Sequence, residues 1–249
     1  PLIVGDEVRD WSATTAGDVL FPYTGMEVSP LTKSVGLARW LWCSRTVLGN
    51  RATFGKSTYF EEGRAWWAWH QVALRRIASP LTITFAFVAT HNHFVLDRGG
   101  KVFNRTAPVI KLSVGSSEDE YLGLLGLLNS SVACFWLKQV CQNRGSTVDQ
   151  HGARQRTAPF EDFYEIGAGL LKDLPLPSSR PLDIATRLDT QACQLCALYP
   201  AALLAAGPLP TRESLDDTHQ RVAALRRQMI AGQEDLDWRS YRLYGLLPA

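Results

Sequence analysis

At 249 residues, with 46% hydrophobic and 20% charged residues, the chain has enough apolar material for a full core, as one large domain or one domain with a helical appendage. Five scattered cysteines, Cys43, Cys134, Cys141, Cys193 and Cys196, argue against a disulfide framework, and nothing at the start resembles a signal peptide, so a cytoplasmic protein is expected. The net charge of +2 conceals an asymmetry: Lys33 to Lys111 holds twelve Lys/Arg against Glu61, Glu62 and Asp97, and Lys138 to Arg156 adds four against Asp149.

Such an excess points to a polyanionic partner, the alternative being a solvated basic face. Trp40, Trp42, Trp66, Trp67 and Trp69 lie in or beside the basic region, which favours a binding surface, although core packing explains part of the cluster.

The segment 1–23 reads as short extended pieces around a Thr/Gly turn and begins as if cut from something longer. Residues 34–48 predict a helix with a cationic polar side, ended by Gly49-Asn50, and 51–59 a basic loop. Helical character resumes over 61–78 and stops at Pro80. Strands follow at 81–89 and 94–96, with Asp97-Arg98-Gly99-Gly100 as a hairpin turn leading to further strands at 101–103 and 109–112.

The stretch 118–138, EDEYLGLLGLLNSSVACFWLK, is the longest nearly uncharged apolar run. Its leucines cover almost the whole circumference of a helix, so it must be buried, and Asn129-Ser130-Ser131 predicts a break or bend. The polar trio makes the run unfit to span a membrane. Gln142 to Arg156 reads as a polar loop, 160–171 as aromatic and partly helical, and 174–181 (LPLPSSRP) as a linker. Helices are expected at 183–206 and 211–231, with a last one carrying Trp238, Tyr241 and Tyr244.

His91-Asn92-His93 invites comparison with HNH nucleases, but those residues are far apart in that motif. Here adjacent residues point to alternate faces of a strand, with no convergent Asp, Glu or Cys partners nearby, so no metal is expected. Cys193 and Cys196 read as buried thiols on one helical face, and Asp6, Glu7 and Asp10 as caps and surface charges. There is no GxGxxG, Walker loop, GxSxG or HExxH, and neither the Asn-Pro-Pro-aromatic grip of an adenine methyltransferase nor a Gly-rich cofactor loop. The chain itself is expected to catalyse nothing.

GDEVRDW (5–11), WWAWHQ (66–71), ITFAFVATHNHFVLDRGGKVF (83–103), LLGLLNSSVACFWLK (124–138), LPLP (174–177) and DWRSYRLYGL (237–246) together resemble the C-terminal half of the PglX adenine-specific DNA methyltransferases of bacteriophage-exclusion (BREX) and phage-growth-limitation systems. More broadly they resemble the target-recognition region of TaqI-like and Eco57I-like enzymes. The resemblance implies a parent that methylates adenine N6 with S-adenosylmethionine, bound in an N-terminal methyltransferase domain outside this chain. It assigns sequence reading to the C-terminal part and implies no cofactor here.

Double-stranded DNA is the expected partner, together with the parent's N-terminal domain and other phage-defence proteins, and no membrane. By residue type, Arg51, Lys56, Arg98, Lys101 and Arg105 are assigned to phosphates. Asn143, Arg144, Gln150, His151 and Arg154 are assigned to bases, with His91, Asn92 and His93 as further DNA contacts. The expected fold is α+β: a mixed β-sheet domain covered by helices over 1–177, followed by a helical C-terminal region over 178–249. Two other readings stay open, a module docking other defence components and an HNH-like nuclease.

Overall fold

A computed structural model describes residues 1–15, 17–33, 35–70, 79–146, 151, 162–207 and 209–248. The chain divides into a unit of Pro1–Asp18 with Pro80–Ala249, and a second unit, Val19–Ser79, inserted between them.

The first unit opens with β1 (Leu2–Ile3) and a two-residue hairpin of β2 (Val8–Arg9) and β3 (Ser12–Ala13). The inserted unit holds the hairpin β4 (Tyr23–Thr24) and β5 (Glu27–Val28), then α1 (Val35–Trp42) and α2 (Arg45–Gly49). Residues 34–48 therefore form two short helices around Cys43-Ser44 instead of one. The helix expected over 61–78 is absent from 61–70, which form turns, and 71–78 lie outside the described residues. The cause is visible: the Arg51 guanidinium donates to the carbonyls of Trp66 and Ala68, while the Trp67 and Trp69 indoles donate to Ser29 O and Leu20 O. Side chains thus take over carbonyls and indoles that a regular helix would have arranged otherwise.

In the first unit, β6 (Thr82–Phe85), β7 (Val88–Ala89), β8 (Phe94–Asp97), β9 (Val102–Phe103) and β10 (Val109–Ile110) follow. The chain is mixed α+β as expected, built from small sheets: β10-β6-β8 is antiparallel, and β9 pairs in parallel with β1. The expected hairpin at 97–100 does not close. Gly99 and Gly100, at φ 91° and 78°, turn the chain away from β8, and the partner of β8 is β6, across the loop that carries His91-Asn92-His93.

The apolar run forms α3 (Glu118–Leu128) and α4 (Ser131–Val140), bent by 66° at Asn129-Ser130. Ser117 and Glu120 make a reciprocal capping box at the start of α3, and Ser130 caps α4. Tyr121 to Leu128 are all buried, packed with Ile83, Phe85, Phe94 and Leu96 of the sheet. Among the described residues no single helix is long and apolar enough to cross a membrane.

The start of the expected polar loop is β11 (Gln142–Gly145), paired with β12 (Phe163–Glu165), which pairs with β7; residues 147–150 and 152–161 lie outside the described residues. After the short α5 (Ala168–Leu171) come α6 (Leu182–Ala197), α7 (Pro200–Ala206) and α8 (Arg212–Leu243). The helices after residue 178 pack back into the first unit, with Ala185, Leu188, Ala192 and Leu236 in its core. The two last expected helices are one of 32 residues. Gly232, just past the expected end at 231, is a close-approach point within it, where a Cβ would lie 2.9 Å from Leu188 Cδ2.

Candidate functional site

The singled-out segments 83–103, 124–138 and 237–246 meet at the bend between α3 and α4. The Asn92 amide donates to Leu128 O and Ser130 O at 2.6 and 3.1 Å. Asp237 Oδ1 accepts the Ser131 N–H at 2.7 Å, and Ser131 Oγ donates to Tyr241 at 2.9 Å. Gln233 accepts from the Trp11 indole at 2.9 Å and donates to Asn129 O at 3.0 Å, while Tyr244 donates to Pro175 O. At the break, Leu128 O and Ser130 O are thereby answered by the loop carrying Asn92, and Asn129 O and the Ser131 N–H by α8, which is what a buried break requires.

Beside the bend lies a cavity of about 620 Å³, lined in part by Asp10, Trp11, His91, Gln233 and Asp237. Asp10 and Trp11 form the tight turn of the β2–β3 hairpin, both in the left-handed region at φ 42° and 69°. The turn puts Asp10 against two histidines: Oδ1 stands 3.4 Å from His93 Nδ1 and 3.9 Å from His91 Nε2. The nearby imidazoles, His91 first and then His93, hold the Asp10 carboxyl well below the usual carboxylate range despite some burial. His93 is buried and its Nδ1 accepts the Asp10 N–H at 3.2 Å, whereas His91 is exposed. Asp10 is therefore no cap. Asp6 and Glu7 stay apart from it, one near Arg9 and the other bonded to Thr14.

The basic residues assigned to phosphates divide sharply. Arg51 is an internal brace, donating to Leu48 O, Trp66 O and Ala68 O and lying 4.4 Å from the Tyr59 ring. Arg98 bridges Glu118 and buried Asp189 at 2.6 and 2.7 Å, and Lys101 pairs with Asp97. Burial opposes the Arg98 charge, but Asp189 and Glu118 outweigh it and raise its pKa. Lys56 and Arg105 are exposed, with no side-chain hydrogen bond or ion pair among the described residues. Of the residues assigned to bases, Asn143 donates to Asp162 and Arg144 to Glu165. His151 is exposed; Gln150 and Arg154 lie outside the described residues. Cys193 is exposed and Cys196 half-buried, not both buried as expected.

The inserted unit presents a cationic and aromatic surface that includes Trp40, Trp42 and Lys56, which the sequence singled out, and adds Phe54, which it did not. No residue of α1 is buried; Trp40 and Trp42 are 67% and 63% exposed, Phe54 87%, and Arg39 and Lys56 are exposed. Arg45 lies over the Trp42 ring at 5.0 Å and the Phe60 ring at 4.8 Å. In the sequence Trp40 and Trp42 lie between Arg39 and Arg45, and tryptophans set among cations were the available signal.

No family model matches the chain. It is 48% identical, over 98% of its own length, to a protein of Streptomyces coelicolor named adenine-specific methyltransferase PglX, and it spans 20% of the length of that relative. At that identity across nearly the whole chain, this protein is a segment of a PglX-type protein.

Proposed function

We propose that this chain recognises double-stranded DNA as the sequence-reading part of an S-adenosylmethionine-dependent adenine-N6 DNA methyltransferase acting in phage defence of the BREX type. The observation that carries the reading is the surface of the inserted unit. Val19–Ser79 holds eight Lys/Arg against three acids and presents Arg39 and Lys56 beside exposed Trp40, Trp42 and Phe54. Free cations with neighbouring aromatic faces suit phosphates and the apolar edges of a nucleic acid. The name of the Streptomyces relative supports a methyltransferase-related role, and the cofactor and the transfer chemistry are assigned to the parent's remaining length.

Phosphate contacts fall to Arg39, Lys56 and Arg105, while Arg51, Arg98 and Lys101 hold the fold. His151, beyond the paired strand β11, is retained as a base-reading candidate. The test uses the full-length parent: fluorescence anisotropy on duplex DNA across a salt series, with sequencing of methyladenine in cells. Replacing Arg39, Lys56 and Arg105 with Ala is expected to weaken binding to all sequences and to flatten the salt slope by ~0.9 for each phosphate that is no longer neutralised. An unchanged slope favours the docking-module reading, to which the exposed apolar residues Trp40, Val47 and Phe54 would then belong.

A further inference from the structure

We propose that Asp10, His91 and His93 form a binding site for one divalent transition-metal ion, zinc by its donor set, that fastens the β2–β3 turn to the loop between β7 and β8. Asp10 is more than eighty positions from the two histidines in sequence, yet one ligand atom from each of the three lies within 4.8 Å of the other two. In a tetrahedral zinc site, with bonds of about 2.0–2.2 Å, neighbouring ligand atoms stand about 3.4 Å apart. The Asp10 Oδ1 to His93 Nδ1 separation already has that value, and Asp10 Oδ1 to His91 Nε2, at 3.9 Å, is close to it. Drawing the three together takes a displacement of about an ångström or less at side chains of which two, Asp10 and His91, are exposed.

The surroundings orient the donors. His91 Nδ1 is engaged with Thr90 Oγ1 at 3.0 Å, which turns Nε2 toward Asp10, as an outer partner does for a ligating imidazole. His93 Nδ1 accepts a backbone N–H, so its lone pair is directed at the turn, and an ion entering there replaces that single bond. Asn92, between the histidines, faces the other way and is bound to Leu128 O and Ser130 O, which fixes the loop that presents both rings. On the opposing side, Trp11 is 6% exposed and tied to Gln233, so the turn cannot easily swing Asp10 away. Two successive non-glycine residues at positive φ are strained, strain of the kind that persists where a side chain must be held for a purpose.

Two imidazoles and one carboxylate favour zinc and its neighbours over magnesium or calcium, which require oxygen donors. Three protein ligands leave a fourth position for water, and since Asp10 and His91 line the 620 Å³ cavity, that position opens on it. The proposal stands independently of DNA recognition.

Full-length protein prepared without a histidine tag and stripped with chelator is titrated with Co²⁺, read by the visible bands of tetrahedral cobalt, and with Zn²⁺, read as bound metal per chain after gel filtration. Asp10→Ala and His91→Ala, both at exposed side chains, are compared with wild type, and circular dichroism confirms their folding. Wild type is expected to take up one equivalent more than either variant and to show cobalt bands that zinc abolishes. Equal uptake by wild type and both variants, or no cobalt band in wild type, overturns the proposal. Duplex DNA affinity is measured on the same samples, so loss of DNA binding with intact metal uptake counts against the recognition reading alone.

Discussion

Asn129 clasps the backbone of Phe94 from both sides: its Oδ1 accepts the Phe94 N–H at 3.0 Å and its Nδ2 donates to Phe94 O at 2.9 Å. A side-chain amide thus supplies the missing neighbour of a buried strand residue, and it does so from the point where α3 stops and α4 begins. Replacing it with Leu leaves two buried backbone groups unpaired, each costing about 1–3 kcal/mol. Asn129→Leu is expected to lower the urea midpoint substantially, whereas Asn129→Gln should lie between. A Leu variant as stable as wild type would contradict the role given to the clasp.

Arg98 offers a contrast between charge that binds and charge that holds. Its guanidinium neutralises Asp189, whose side chain is only 6% exposed. Removing one member of such a pair strands the other, at about 3–5 kcal/mol. Arg98→Ala should therefore destabilise the fold strongly, and Arg98→Met with Asp189→Leu should recover most of the loss. Thermal melts of wild type and both variants decide it.

Gly126 and Gly169 both sit in helices, with opposite expectations. A Cβ on Gly126 would meet Ala185 Cβ at 2.9 Å and the Pro181 ring at 3.0 Å, so Gly126→Ala should cost about 1–3 kcal/mol by forcing α3 and α6 apart. Nothing lies within 4 Å of the corresponding position at Gly169, so Gly169→Ala should be neutral or stabilising by up to ~1 kcal/mol. Chemical denaturation of both variants under one set of conditions provides the comparison.

Tyr244 predicts the alkaline edge of stability. Burial raises its pKa, favouring the neutral phenol in the folded state, where it donates to Pro175 O at 2.8 Å. The raised folded value means that its contribution is complete below the unfolded value of about 10 and is lost as pH rises through the folded one. Tyr244→Phe should lose stability at neutral pH, by about 1 kcal/mol for the hydrogen bond, and should show a smaller further drop at high pH than wild type. Parallel alkaline slopes would assign that drop to other groups.

The sequence by itself determined the elements whose signal is local. The buried run with its polar interruption became α3 and α4, because an all-round apolar helix has one stable environment and Asn-Ser-Ser caps a new helix more readily than it continues an old one. The strands at 82–85 and 94–97 were legible for the same reason, being rich in β-branched and aromatic side chains. The tertiary structure alone decided what long-range partners dictate. Arg51 spent its donors on the carbonyls of Trp66 and Ala68, which turned an expected helix into turns. Gly232 sits inside a helix at a point where Leu188 leaves no room for a Cβ. Arg98 and Lys101 read as free cations until buried Asp189 and Asp97 claimed them. Asp10, surrounded in sequence by nothing that marks a site, met His91 and His93 only after a strained turn and a distant loop were packed against the same broken helix. A residue's type fixes which bonds it is able to make, but which bond it makes depends on which of its competing partners the folded chain brings within about 3 Å.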